Sequence, residues 1–66
     1  MLAENIKKYR KRLKLTQEAL SRKAGISYNT IIKLESRGIV DPRMETLKKL
    51  ASAFNVSIDE LVGRKT

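Results

Sequence analysis

The chain has no cysteine, no histidine and no tryptophan, and each absence removes a class of chemistry. Without cysteine there is neither a disulfide nor a thiolate metal site. Without histidine the commonest general base and metal ligand is missing. No apolar run is long enough for a signal peptide or a membrane span, so a soluble, cytoplasmic domain is expected. A nucleophile–base pair, a cluster of metal ligands and a glycine-rich phosphate loop are missing too. An enzyme, a cofactor and a bound metal are therefore not expected. Acidic residues are scarce: seven Asp and Glu stand against fifteen Lys and Arg, a formal net charge of +8 on 66 residues. That balance favours a polyanionic partner, either nucleic acid or an acidic membrane surface.

What is present reads as one small helical domain over residues 1–66, near the lower size limit for folding without staples. Strand alternation, repeats and low-complexity stretches do not occur. Leu2, Ile6, Tyr9 and Leu13 recur at spacings of four, three and four, one face of an amphipathic helix. The same segment carries Lys7, Lys8, Arg10, Lys11, Arg12 and Lys14 with no acid between them. A solvated helix face is the plain reading of such a run. A membrane-surface role is disfavoured, because this helix has no Trp or Phe anchor and the core needs its apolar side.

Residues 16–35 carry the densest signals. Thr16 and Ser27 are hydroxyl N-caps, each able to satisfy free N–H groups at a helix start. Leu15 with Leu20, and Ile26 with Ile31, stand at the spacing of a hydrophobic staple around those caps. Gly25 stands where a left-handed residue ends the first of the two helices and turns the chain. Two short helices about a glycine turn describe a helix-turn-helix, whose second helix has the shape to enter the DNA major groove.

Downstream, Ser36 to Pro42 carries Gly and Pro and reads as a loop. A fourth helix is expected from Pro42 or Arg43 to Phe54, burying Leu47, Leu50, Ala51 and Phe54. Its favoured start places Asp41 as N-cap and Pro42 at the first helical position, where proline's missing N–H is harmless. Ser57-Ile58-Asp59-Glu60 is a capping box, and Val56 with Leu61 is a third staple. The fifth helix so opened ends near Gly63, and residues 63–66, with the tail Arg64-Lys65-Thr66, are expected to fray. The expected core is Leu2, Ile6, Tyr9, Leu13, Leu20, Ala24, Ile31, Leu34, Leu47, Leu50, Phe54, Val56 and Leu61.

Laid out at about 100° per residue, the third helix turns Ile31 and Leu34 inward. Its outer face centres on Asn29 and Lys33, with Ser36 and Ile32 beside them and Tyr28 near the helix start. These are base-reading side chains: Asn bonds adenine N6 and N7, Lys reaches guanine O6 or N7, and an apolar group packs on a thymine methyl. Tyr28 can offer its hydroxyl to a phosphate or base edge, or lie across a neighbouring helix. Ile32, expected to face outward, fits either a base contact or a protein interface. Phosphate contacts are expected from the start of the second helix, at Thr16 and Gln17, and from Arg37 and Arg43 around the loop.

Several stretches together carry a resemblance over nearly the whole chain. They are Leu15-Thr16-Gln17-Glu18-Ala19-Leu20, Lys23-Ala24-Gly25-Ile26-Ser27, Thr30-Ile31, Leu34-Glu35, Thr46-Leu47-Lys48-Lys49-Leu50-Ala51 and Asn55-Val56-Ser57-Ile58-Asp59-Glu60-Leu61. With these the chain resembles the phage repressor/Cro-type, or XRE, helix-turn-helix domains. The resemblance implies an all-α, compact five-helix, lambda-repressor-like domain that binds operator DNA, usually as a homodimer. It implies phosphate contacts at Gln17 and Ser27 and base contacts at Tyr28, Asn29 and Lys33. Arg10 and Glu35 match an interior salt bridge of some relatives, which makes Arg10 structural despite its place in the basic run. A dimer surface at Val56, Ser57, Ile58 and Val62 is implied as well, on the view that Ile58 and Val62 exceed the core's needs. Three positions depart from the pattern. Ser21 replaces a usual alanine, the Glu35–Pro42 span is one residue longer than in many relatives, and Arg43 stands where a capping Ser or Thr is common.

The leading expectation is a double-stranded DNA-binding transcription regulator of the repressor type. The alternative is a protein-interaction module, such as an antitoxin or a regulatory subunit, with Ile32 and Val40 at a protein interface and DNA binding secondary.

Overall fold

In a computed structural model, which describes residues 2–63, five helices follow one another: α1 (Leu2–Arg12), α2 (Gln17–Ala24), α3 (Tyr28–Glu35), α4 (Met44–Phe54) and α5 (Ile58–Val62). The tail Arg64-Lys65-Thr66 lies outside the described residues. Gly63 itself is the left-handed cap of α5, with φ 77° and its N–H bonded to the Asp59 and Glu60 carbonyls, so it belongs to the helix end.

The start signals act as their chemistry dictates. Thr16 accepts from the Ala19 N–H at 3.0 Å, and Ser27 accepts from the Thr30 N–H at 3.2 Å. Ser57 and Glu60 form the complete capping box, each side chain bonded to the other's backbone N–H at 3.0 Å. The bonds from Ser57 hold the Glu60 carboxyl below its ordinary pKa, its backbone N–H first and its side chain second. Gly25 closes α2 at φ 69°, and both its own N–H and that of Ile26 turn back to the Ser21 carbonyl. The Ser21 hydroxyl bonds the Glu18 carbonyl at 2.7 Å, which satisfies it without disturbing the helix.

The start of α4 differs from the expectation. Its N-cap is Arg43, extended at φ −65° and ψ 154°, with no side-chain cap bond; Asp41 and Pro42 stay in the loop. The reason lies outside the segment. Ile39 packs against the core, and Pro42 is half-buried in a cleft wall with Leu2 and Leu47. One side-chain cap contributes only about 1 kcal/mol, a term that the partial burial of Ile39 and Pro42 can offset. The chain bends at Val40 and Asp41, and α4 begins only after Arg43.

The fully buried large side chains are Ile6, Leu20, Ile31, Leu34, Leu50 and Leu61, joined by Ala51, Ala53 and Phe54 in one cluster. Leu2, Tyr9, Ala24, Leu47 and Val56 pack against it half-buried. Leu13 does not join them and is 41% exposed. The helix stops at Arg12, Lys14 turns left-handed at φ 57°, and Leu15 rather than Leu13 reaches the core. Ala3 and Ala53, absent from the expected core, are buried as well.

One polar knot ties three elements together. Glu35, 3% exposed at the end of α3, accepts from Arg10 Nε at 2.7 Å and Arg10 Nη2 at 3.0 Å. Gln17 Nε2 of α2 donates to the same carboxylate at 3.2 Å, and Arg10 Nη1 donates to the Leu15 carbonyl at 2.9 Å. The helix-turn-helix is thereby fixed to α1 through a bidentate, fully satisfied ion pair.

Two tests follow from this architecture. Replacing Gly25 with Ala should lower stability by about 1 kcal/mol, because a side chain resists the left-handed backbone. Open space surrounds the added carbon, so no clash contributes. Gly38→Ala, which meets only ordinary contacts to Lys33 near 3.5 Å, should stay within about 0.5 kcal/mol of the parent in urea denaturation. Removing one partner of the ion pair, as in Glu35→Ala, should cost about 3–5 kcal/mol by stranding a buried charge. The double variant Arg10→Met/Glu35→Leu should unfold at higher denaturant than Glu35→Ala. Equal loss in both would show that the charge itself stabilises the fold.

Candidate nucleic-acid interface

The placement of α3 follows from its two ends. The Gly25–Ser27 turn brings the end of α2 to the start of α3, while the Gln17–Glu35 bond brings the start of α2 to the end of α3. The two helices are thus linked by the chain at one end and by a side-chain bond at the other. Ile31, Leu34 and Glu35 take the inward side of α3, which leaves a face of about two turns to solvent.

On that face Asn29 and Lys33 are exposed, and Tyr28 is 43% exposed at the helix start. Ser36, just past the last turn, is exposed as well. Ile32 differs from the sequence reading: it is half-buried rather than outward-facing, yet it is not among the side chains packed on the core cluster. It sits at the border between the buried and open sides, where only part of its surface is available to a partner.

Around α3, the residues expected at phosphates occupy several positions. Thr16 is exposed at the start of α2, its oxygen engaged by the Ala19 N–H and its hydroxyl hydrogen still available to donate. Gln17 is half-buried, and one amide hydrogen holds Glu35; the second N–H and the carbonyl remain. Ser27 and Thr30 share a hydroxyl contact at 2.8 Å beneath the first turn of α3. Arg43 is exposed and borders the first half of α3, across a shallow groove lined by Thr30, Ile39, Asp41, Pro42 and Thr46. Arg37 sits apart from this set. At φ 67° it turns toward α1 and pairs with Glu4.

Two features escaped the sequence reading. The local sequence gives Gln17 only an outward role, because nothing local predicts a bond to a residue eighteen positions away. Thr30 and Thr46 were not singled out, since their groove exists only once α3 and α4 are packed.

The expected dimer surface is altered by packing. Val56 and Ile58 are half-buried against the core, so Ile58 is not surplus to it. Ser57 is exposed but engaged in the capping box. Val62 is half-buried and lines a cleft with Leu2, Ile39, Val40 and Leu47. Val40, which lines the same cleft, is 76% exposed, and Met44, the first residue of α4, is 56% exposed.

The charge pattern suits a polyanion. Glu35, the one carboxylate on α3, is neutralised by Arg10, so the side chains left open on this helix are neutral or cationic. Among the described residues no helix is long and apolar enough to cross a membrane.

Comparison with known proteins agrees with this arrangement. A helix-turn-helix family model matches residues 6–61, nearly the whole described chain. An uncharacterized HTH-type transcriptional regulator of Methanocaldococcus jannaschii is 38% identical over 60 residues, covering 91% of this chain and 89% of the relative. The cryptic phage CTXphi transcriptional repressor RstR of Vibrio cholerae is 41% identical over 63 residues, 96% of this chain and 55% of the repressor. The immunity repressor protein of Bacillus phage phi105 is 34% identical over 65 residues, 98% of this chain and 44% of that protein. The chain therefore spans about half the length of the two phage repressors and most of the archaeal relative. Five helices around a Gly25 turn, the matched residues 6–61 and these likenesses place it: the chain belongs to the helix-turn-helix family, of the phage repressor type that its sequence resembles.

Proposed function

We propose that this chain is a sequence-specific double-stranded DNA-binding transcription regulator, acting as a repressor, that reads the major groove with α3 as a homodimer. The observation that carries this reading is the face of α3. Tyr28, Asn29 and Lys33 stand exposed on a helix capped by Ser27 and held from behind by Glu35. A base-reading helix needs rigidity, because its hydrogen bonds tolerate little displacement. Asn29 and Lys33 have the donors and acceptors to distinguish base edges, Tyr28 reaches the groove wall, and the exposed part of Ile32 can meet a thymine methyl. Thr16, Gln17, Ser27 and Arg43 surround that helix with groups suited to phosphate oxygens, and they set its register without reading sequence. The Arg37 guanidinium adds positive charge beyond the end of α3, although Glu4 competes for it.

Two copies reading two half-sites about 34 Å apart would match a two-fold operator. Val62 and Val40 on one cleft, exposed Met44, and Val56, Ser57 and Ile58 around the start of α5 are the residues offered for that pairing. The exposure of Val40 and Met44 also supports a second reading, a protein-interaction module such as an antitoxin or regulatory subunit, in which a protein partner covers them.

Selection of bound duplexes from a random pool should enrich a short motif, repeated with two-fold symmetry if the homodimer forms on DNA. On that motif, Asn29→Ala or Lys33→Ala should cost about 1–3 kcal/mol of discrimination at one base pair. Gln17→Ala should instead weaken all sequences alike. Equal affinity of the parent chain for every duplex would exclude the sequence-specific reading and leave the protein-interaction module standing.

A further inference from the structure

We propose that α1 contributes phosphate contacts of its own through Lys7 and Lys11, on the flank of the helix that borders α3. This rests on the DNA-binding reading above and extends the contact surface to an element not so far given a role in it.

The contacts of α1 fix which way each flank faces. Asn5 Nδ2 donates to the Leu61 carbonyl at 2.9 Å, and the Tyr9 ring lies 5.6 Å from that of Phe54, so this flank faces α4 and α5. On the opposite flank Arg10 reaches Glu35, the last residue of α3, and Glu4 pairs with Arg37 just beyond it. Side chains three or four positions apart share a helix face. Lys7 is three residues from both Glu4 and Arg10, so it is bracketed by two side chains that touch the α3 end. Lys11 continues the same row one turn later. Both are exposed.

The basic run, uniform in sequence, therefore divides in space. Lys8 and Arg12 lie over the Tyr9 ring, each 5.4 Å from its centroid, on the side away from α3. Arg10 is neutralised by Glu35. Among the described residues no carboxylate forms a salt bridge with Lys7 or Lys11, and the two acids nearest along this flank, Glu4 and Glu35, are each engaged by an arginine. What remains is an uncompensated pair of ammonium groups beside the C-terminal end of the reading helix. The chemistry that fits is the phosphate backbone of the same duplex. A lysine acts on it as a point charge on a flexible stem, needs no fixed geometry and carries no base information. An acidic protein segment would satisfy the same charges, and salt dependence on DNA separates the two.

The experiment compares two double variants on the selected duplex, each removing two positive charges from α1. Affinity would be measured by titration across a series of salt concentrations. Lys7→Gln/Lys11→Gln should make the slope of log K against log salt shallower by about 1.8, since each phosphate contact contributes about 0.9. The preferred motif should be unchanged. Lys8→Gln/Arg12→Gln should shift the slope by less than about 0.5. All four are exposed helix positions and Gln is a good helix former, so both doubles should melt cooperatively, Lys8→Gln/Arg12→Gln somewhat lower because it gives up the two contacts over Tyr9. Equal slope changes in the two doubles, or no change in the first, would overturn the proposal while leaving the DNA-binding reading intact. A parent chain with no DNA affinity at any salt would overturn both.

Discussion

The buried Glu35 carboxylate is the constraint on which the rest of the domain depends. A charge at 3% exposure is tolerated only with a partner of opposite sign and with its oxygens bonded. Arg10 supplies both of its bidentate bonds and Gln17 a third, so three elements must arrive at one point for the fold to close. Beside the apolar packing, these directional bonds link α1, α2 and α3 at one point. They also tie the end of α3 to the start of α2.

Around this knot the local signals are individually weak and mutually consistent. Thr16, Ser27 and Ser57 each satisfy an orphan N–H, Gly25 and Gly63 close helices in left-handed geometry, and the staples lie beside the caps. No single one of these decides the fold. Their agreement does, since competing arrangements would have to break several at once. Where the sequence offers no glycine the chain still turns. Lys14, Arg37 and Asn55 adopt positive φ at 57°, 67° and 58°, a local cost of about 1–2 kcal/mol for a lysine or arginine that the packed helices offset.

The misplaced residues share a cause. Leu13 has the right spacing for the core, but the helix ends one residue before it and the chain reverses. Asp41 and Pro42 carry a good start signal, but Ile39 and the cleft wall hold them in the loop. Arg37 looks like a free cation and instead meets Glu4, thirty-three positions away. Ile58 looks surplus and is half-packed on the core. Periodicity and cap chemistry report what a segment does alone; each of these residues is decided by a neighbour distant in sequence. The face of α3, in contrast, was readable beforehand at Tyr28, Asn29 and Lys33, because a short helix with a strong inward stripe leaves one direction for its remaining side chains.

The sequence by itself determined the element order, the caps at Thr16, Gly25, Ser27, Ser57 and Gly63, most of the buried stripe and the net charge of +8, since these depend on contacts within a few residues or on composition. The tertiary structure alone decided how that charge is distributed. Six cations in a continuous run become one structural arginine, two cations stacked over Tyr9, two on the flank beside α3 and one in the turn before α2. Helical geometry sends neighbours in sequence to opposite faces, and the packing of α1 against α3 on one side and α4 and α5 on the other gives those faces different surroundings.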